Sequence, residues 1–94
     1  MLEQIEELLS ADEPSLARLE DTLTEGYAQA LALEAERLRI ERRLTQVARE
    51  GRTDVGDEVK CLGTRLTRAD GELVRLRTLL GTLNERARLV RASG

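Results

Sequence analysis

The sequence predicts an all-α protein whose main feature is an antiparallel two-helix coiled-coil hairpin. Three observations predict this class: an apolar heptad repeat in the C-terminal half, a matching repeat in the N-terminal half, and a glycine-containing turn between them. The composition agrees, because 35% of the 94 residues are charged and 1% are aromatic. Without large aromatic side chains, the core is expected to be a thin aliphatic seam between long helices.

A short N-terminal segment, residues 1–11, is expected to be an amphipathic helix, since its apolar residues recur at helical spacing. In the register described below, this segment extends beyond the end of the second long helix and has nothing opposite it. Its apolar residues are therefore expected either to fold back onto the open end of the hairpin or to pack against another chain. These residues are Leu2, Ile5, Leu8 and Leu9.

The hairpin itself is expected over residues 12–94, and its first helix over about residues 13–49. Asp12 suits the N-cap of this helix, and Pro14 is tolerated in its first turn. Seam positions alternate in spacing between three and four residues, and all but Gly26 and Arg37 are aliphatic. The seam consists of Leu16, Leu19, Leu23, Gly26, Ala30, Leu33, Arg37, Ile40, Leu44 and Val47.

The turn is expected at about residues 50–54. Gly51 suits the position just after a helix, and Thr53 or Asp54 suits the N-cap of the next helix. A connection this short between two helices of about 37 residues makes them antiparallel neighbours.

The second long helix is expected over about residues 55–91. Its apolar residues recur in alternating steps of four and three over five heptads, which is the spacing of a coiled-coil seam. A seam this regular requires a partner seam to bury it. It consists of Val55, Val59, Leu62, Leu66, Ala69, Leu73, Leu76, Leu80, Leu83, Ala87 and Val90.

The two seams match when Val47 is set opposite Val59. Small residues then meet large ones, for example Gly26 opposite Leu80, as uniform packing density along a seam requires. Charged residues beside the seam support the same register, because one geometrically plausible offset brings opposite charges together. The predicted ion pairs are Glu36 with Arg65, Arg43 with Glu58, Glu34 with Arg77, and Glu20 with Arg91.

A second apolar stripe lies outside the main seam. A two-helix hairpin buries one layer of side chains, and small scaffolds that lack disulfides and metals usually need association to be stable. We therefore expect a homodimer in which two hairpins form a four-helix bundle. A monomer in which the stripe merely broadens the seam is the alternative. The stripe consists of Tyr27, Leu31, Ala35 and Leu38 on the first long helix, with Val74 and Leu79 on the second.

The residue types argue against catalysis and against a bound cofactor. The chain has no histidine and one cysteine, so it offers no imidazole base and cannot build a thiolate metal site. We therefore expect no enzymatic activity, no cofactor and no metal.

The charge distribution argues against nucleic acid and membranes as partners. The net charge is −3, and acidic residues interleave the arginines along both helices, so no continuous basic face is expected. No apolar run approaches the length of a membrane span, and the acidic N-terminal segment lacks the basic start of a signal peptide. A cytoplasmic location is expected.

The function that these features favour is a non-enzymatic interaction or structural module. It would self-associate and hold an unidentified protein partner through its outward surfaces. The candidate interaction residues are Leu2, Ile5, Leu8, Leu9, Tyr27, Leu31, Leu38, Val74 and Leu79.

A second hypothesis concerns the acids at the turn, Asp54, Asp57 and Glu58. A hairpin of this length with an acidic tip resembles the N-terminal arm of Gre-type transcript cleavage factors, which act in RNA polymerase through two tip acids. The resemblance rests on the shape and on these three residues. It implies a transcription regulator whose tip engages polymerase or a divalent ion. Capping of the second helix by the same acids is the structural alternative.

Overall fold

The computed structural model describes residues 1–11, 15–51 and 53–93. These residues form three α-helices and contain no strand, which confirms the all-α class. The molecule is elongated, with extents of 62 × 17 × 14 Å. The helices are α1 (Leu2–Ser10), α2 (Leu16–Glu50) and α3 (Gly56–Ser93).

The first long helix, α2, begins later than the sequence prediction placed it. Its N-cap is Ser15, whose hydroxyl oxygen accepts a hydrogen bond from the backbone N–H of Arg18 at 3.1 Å. Serine caps a helix about as well as aspartate, and Ser15 stands directly before the first seam leucine. The predicted cap, Asp12, lies with residues 13 and 14 outside the described residues.

The turn places its glycine as predicted and starts the next helix differently. Gly51 ends α2 with a φ of 64°, in the left-handed region that glycine adopts without steric cost. The next helix, α3, begins at Gly56, and the backbone N–H of Val59 donates to the Val55 carbonyl at 2.9 Å. Val55, rather than Thr53 or Asp54, therefore directly precedes the first turn of α3.

The long helices α2 and α3 lie side by side and run in opposite directions. Near the turn, Arg43 of α2 contacts Glu58 of α3. The buried residues between the helices belong to the two predicted seams. They are Leu19, Leu23, Gly26, Ala30, Leu33, Ile40 and Val47 on α2, and Leu62, Ala69, Leu73, Leu76, Leu80, Leu83 and Ala87 on α3.

Ion pairs beside the seam fix the register of α2 against α3. All four pairs predicted from the sequence are present. Each is partly exposed and worth about 0–1 kcal/mol, so these pairs select the register more than they stabilise the fold. They are Arg43 with Glu58 at 2.6 Å, Arg91 with Glu20 at 3.1 Å, Arg65 with Glu36 at 3.6 Å, and Arg77 with Glu34.

Two seam positions are exposed. Val59 is 41% exposed, although Val47 is buried. Val59 lies in the first turn of α3, where the seam ends and has no further helical layer above it. Arg37 extends out of the seam, and its Nε lies 2.8 Å from Oδ1 of Asp70 and 3.3 Å from Oε1 of Glu41.

The short helix α1 folds back onto the α2–α3 pair of its own chain. Ile5 is fully buried in the same cluster as the seam leucines of the half of the pair away from the turn. Glu6 forms an ion pair with Arg75, and the Arg86 guanidinium donates to the carbonyl oxygens of Leu9 at 3.3 Å and Ala11 at 3.1 Å. The contacts advance from Glu6 with Arg75 to Leu9 with Arg86, so residue numbers increase in the same direction along both helices. Helix α1 therefore runs parallel to α3.

Replacing Ile5 with alanine is expected to release α1 from the rest of the chain. Removing a fully buried isoleucine side chain costs about 2–5 kcal/mol, and a helix of nine residues is not stable alone in water. Amide hydrogen exchange should therefore accelerate over residues 2–10. Exchange in the central part of α2 and α3 should change much less.

The matched control is Gln4→Ala, because Gln4 precedes Ile5 in α1 and is exposed. This variant should leave the exchange of α1 unchanged. Equal exchange in α1 for Ile5→Ala and Gln4→Ala would show that the burial of Ile5 does not hold the helix in place.

Candidate interaction surface

The short helix α1 covers one side of the α2–α3 pair. Arg75 and Arg86, which contact α1, are eleven residues apart and share one face of α3. Leu79 lies on that same face, one turn after Arg75, and packs against the core cluster. Leu79 belongs to the stripe predicted from the sequence, but it lies on the side of α3 that faces α1.

The opposite side of the pair carries most of the predicted stripe. Four large apolar side chains are exposed there: Tyr27 by 50%, Leu31 by 66%, Leu38 by 46% and Val74 by 64%. We call the side that carries these four residues the uncovered face. Helical spacing aligns the three α2 residues in one row, and Val74 belongs to a parallel row on α3.

An ion pair joins the two rows of the uncovered face. Glu34 lies between Leu31 and Leu38 in the α2 row and accepts a hydrogen bond from Arg77 of α3. Arg77 in turn lies one turn from Val74. The polar atoms at the middle of this surface are therefore already paired within the chain.

A groove of about 370 Å³ opens on the uncovered face between α2 and α3. Its walls combine the exposed residues with two buried seam residues, and Gly81 leaves one wall without a side chain. The groove is lined by Tyr27, Ala30, Leu31, Glu34, Arg77, Leu80 and Gly81. Its mainly apolar lining suits an apolar side chain from a partner.

The charged groups around the uncovered face neutralise one another. Each arginine there contacts at least one acid of the same chain, and the four acids exceed the three arginines by a single charge. Such a surface has little net attraction for a strongly charged partner. The contacts are Glu34 with Arg77, Glu20 with Arg91, and Arg37 with both Asp70 and Glu41.

The predicted interaction residues of the N-terminal segment occupy a different place. Ile5 and Leu8 are buried within the chain, and Leu2 and Leu9 are partly buried against the same cluster. These four side chains are used to attach α1. Of the stripe, the exposed members are Tyr27, Leu31, Ala35, Leu38 and Val74.

Sequence reasoning missed one exposed apolar residue, Leu89, which is 61% exposed. It is fourteen residues after Arg75 and therefore lies on the α1 side of α3, towards the C-terminal end. Its position outside the heptad seam was the available signal. A single exposed leucine is ordinary on a protein surface and does not make a site.

The acids at the turn are not gathered into a site. Glu58 Oε1 lies 2.6 Å from Nη2 of Arg43 and accepts a hydrogen bond from its Nε at 2.7 Å. Asp54 and Asp57 are exposed. Within residues 1–11, 15–51 and 53–93, no group of three His, Cys, Asp or Glu side chains is placed to hold a metal ion.

Comparison with known proteins adds no assignment. No protein-family model, curated protein or solved structure matches this chain. In the part of the chain that the structure describes, no helix has an apolar stretch sufficient to cross a bilayer.

Proposed function

We propose that this chain is a non-enzymatic interaction or structural module, a coiled-coil hairpin that self-associates through its uncovered face. The observation that carries this proposal is the set of four large apolar side chains exposed together on that face: Tyr27, Leu31, Leu38 and Val74. Isolated exposed apolar residues are common, but several large ones exposed on the same face typically mark a binding surface.

The amount of exposed surface supports association. The accessible surface of the chain is 6579 Å², whereas a compact folded monomer of 10.5 kDa is expected to expose about 5,400 Å². The excess is about 1,200 Å². A standard protein interface buries about 800 Å² on each partner, so this elongated chain has enough surface to form one.

The charge pattern favours a second copy as the partner. The acids and arginines around the uncovered face are paired within the chain. The uncovered face of a second copy has the same paired charges, so contact between the two faces leaves no charge unpaired. Two copies that join through this face form a bundle of four long helices. Helix α1 of each copy then lies on the outside of the bundle, where it covers the opposite face.

Replacing Leu31 with glutamate is expected to dissociate the dimer. Each dimer loses two buried leucine side chains, each worth about 1.5–3 kcal/mol, and gains two charges in an apolar interface. The dissociation constant should therefore rise by about 100-fold or more. Sedimentation equilibrium over a range of concentrations measures this change, and the unaltered chain should approach twice 10.5 kDa.

The matched control is Leu89→Glu, because Leu89 is similarly exposed and lies on the α1 side of α3. This variant should associate as the unaltered chain does. An unaltered chain that stays at 10.5 kDa at the highest concentrations, or equal weakening by both variants, would contradict self-association through the uncovered face.

A further inference from the structure

Building on the self-association proposed above, we infer that the two-fold axis of the dimer runs parallel to the long helices. In this arrangement α2 of each copy packs on the partner's α3. Tyr27 sits over the partner's Gly81, and Leu31 packs against the partner's Val74.

Two symmetric arrangements can bring the uncovered faces together. An interface between two identical copies is related by a two-fold axis. If that axis is parallel to the helices, α2 faces the partner's α3. If the axis crosses the helices within the interface plane, α2 faces the partner's α2, and α3 faces the partner's α3. The side chains of the two rows decide between these arrangements.

The rows differ in size. The apolar residues of the α2 row are Tyr27, Leu31 and Leu38, whereas the α3 row carries the smaller Val74 and Gly81. Arg77 lies between these two and is paired with Glu34 of its own chain. Packing the large row on the small row gives an interface of even density, as protein interfaces and cores require. The other arrangement sets large side chains against large ones over α2 and leaves a gap over the α3 glycine.

The positions of these residues along the axis of the α2–α3 pair also agree, and we call this position the height of a residue. A methyl group built at Gly26 would lie 2.4 Å from Cδ2 of Leu80, so these two residues are level within one chain. Counting along the antiparallel helices from this contact places Gly81 within about 3 Å of the height of Tyr27, at 1.5 Å per residue. An axis parallel to the helices preserves height, so Tyr27 of one copy reaches the partner's Gly81.

The same counting places Val74 within about 1.5 Å of the height of Leu31. These two residues are the most exposed of the uncovered face, at 64% and 66%, so they have the most to bury. The space above Gly81 is open to receive the tyrosine ring, because a Cβ built at this glycine meets no atom within 4 Å. Each contact occurs twice by symmetry.

The test is a disulfide trap between two different single-cysteine chains. Both carry Cys61→Ser, which removes the exposed native thiol. One also carries Leu31→Cys and the other Val74→Cys, and the two are unfolded, mixed and refolded together before mild oxidation. A disulfide forms where the Cβ atoms approach to about 3.5–4.5 Å. Random pairing makes about half of the dimers mixed, and we expect these to form the disulfide, which mass spectrometry identifies because the two chains differ in mass.

In the control, the second chain carries Leu89→Cys instead of Val74→Cys. This places a similarly exposed thiol on the α1 side of α3, so the mixed disulfide should not form. Disulfides between like chains would overturn this arrangement. A protein that sediments as a dimer but forms no intermolecular disulfide would overturn it too. Both results would leave self-association intact. A protein that sediments as a monomer would overturn the self-association as well.

Discussion

Replacing Leu83 with alanine is expected to lower the free energy of unfolding by about 2–5 kcal/mol. Leu83 is fully buried in the cluster that joins all three helices. Its truncation therefore removes contacts and leaves a cavity that a close-packed seam fills only in part. The loss is a large share of the stability of a small domain, which is typically 5–15 kcal/mol.

Urea denaturation followed by far-UV circular dichroism measures this change. The variants are compared at equal protein concentration, because self-association adds to the apparent stability. The matched control is Leu89→Ala, which makes the same chemical change six residues further along α3 at a side chain that is 61% exposed. It should shift the free energy of unfolding by less than about 0.5 kcal/mol. Similar losses for both variants would show that Leu83 does not belong to the core of this fold.

The buried seam could be predicted from the sequence because helical geometry leaves few alternatives. A heptad repeat places one row of side chains against a partner, and the matching row elsewhere in the chain defines that partner. Gly26 opposite Leu80 and the four ion pairs then follow from a single choice of register. These features depend on spacing along the chain, which the sequence states directly.

The start of α2 and the end of the buried seam could not be predicted as well from the sequence. Ser15 and Asp12 are both good helix caps, and local sequence does not decide between them. Val59 occupies a heptad seam position, but it lies at the end of the seam and its side chain is 41% exposed. A heptad repeat therefore predicts which face of a helix is buried. It predicts less well where along the helix that burial ends.

The candidate surface was predicted in part for a related reason. The sequence identifies Tyr27, Leu31, Leu38 and Val74 as apolar residues outside the seam, but it does not show which side of the pair α1 covers. That choice depends on tertiary contacts of α1 with Arg75 and Arg86. It buries Leu79 and leaves the other residues exposed. The uncovered face is thus defined by where α1 docks as much as by its own residues.

Replacing Gly26 with leucine is expected to lower the free energy of unfolding by about 1–2 kcal/mol, because overpacking a core typically costs 1–3 kcal/mol. Glycine is required here by close approach of the helices, since a Cβ alone would lie 2.4 Å from Cδ2 of Leu80. Leu80 is 2% exposed and packs in the seam between the helices, so a leucine side chain at position 26 competes with it for the same space. The added side chain therefore forces α2 and α3 apart, against a gain in helix propensity of roughly 0.8 kcal/mol.

The matched control for this prediction is Gly71→Leu, which also replaces a glycine within a long helix. Gly71 is exposed, and a Cβ built there meets no atom within 4 Å, so leucine brings the gain in helix propensity without a clash. The two substitutions should therefore change stability in opposite directions when both are measured by urea denaturation at one protein concentration. Stabilisation by both would mean that the helices do not approach closely at Gly26, and the register that places Tyr27 at the height of Gly81 would then be lost with that contact.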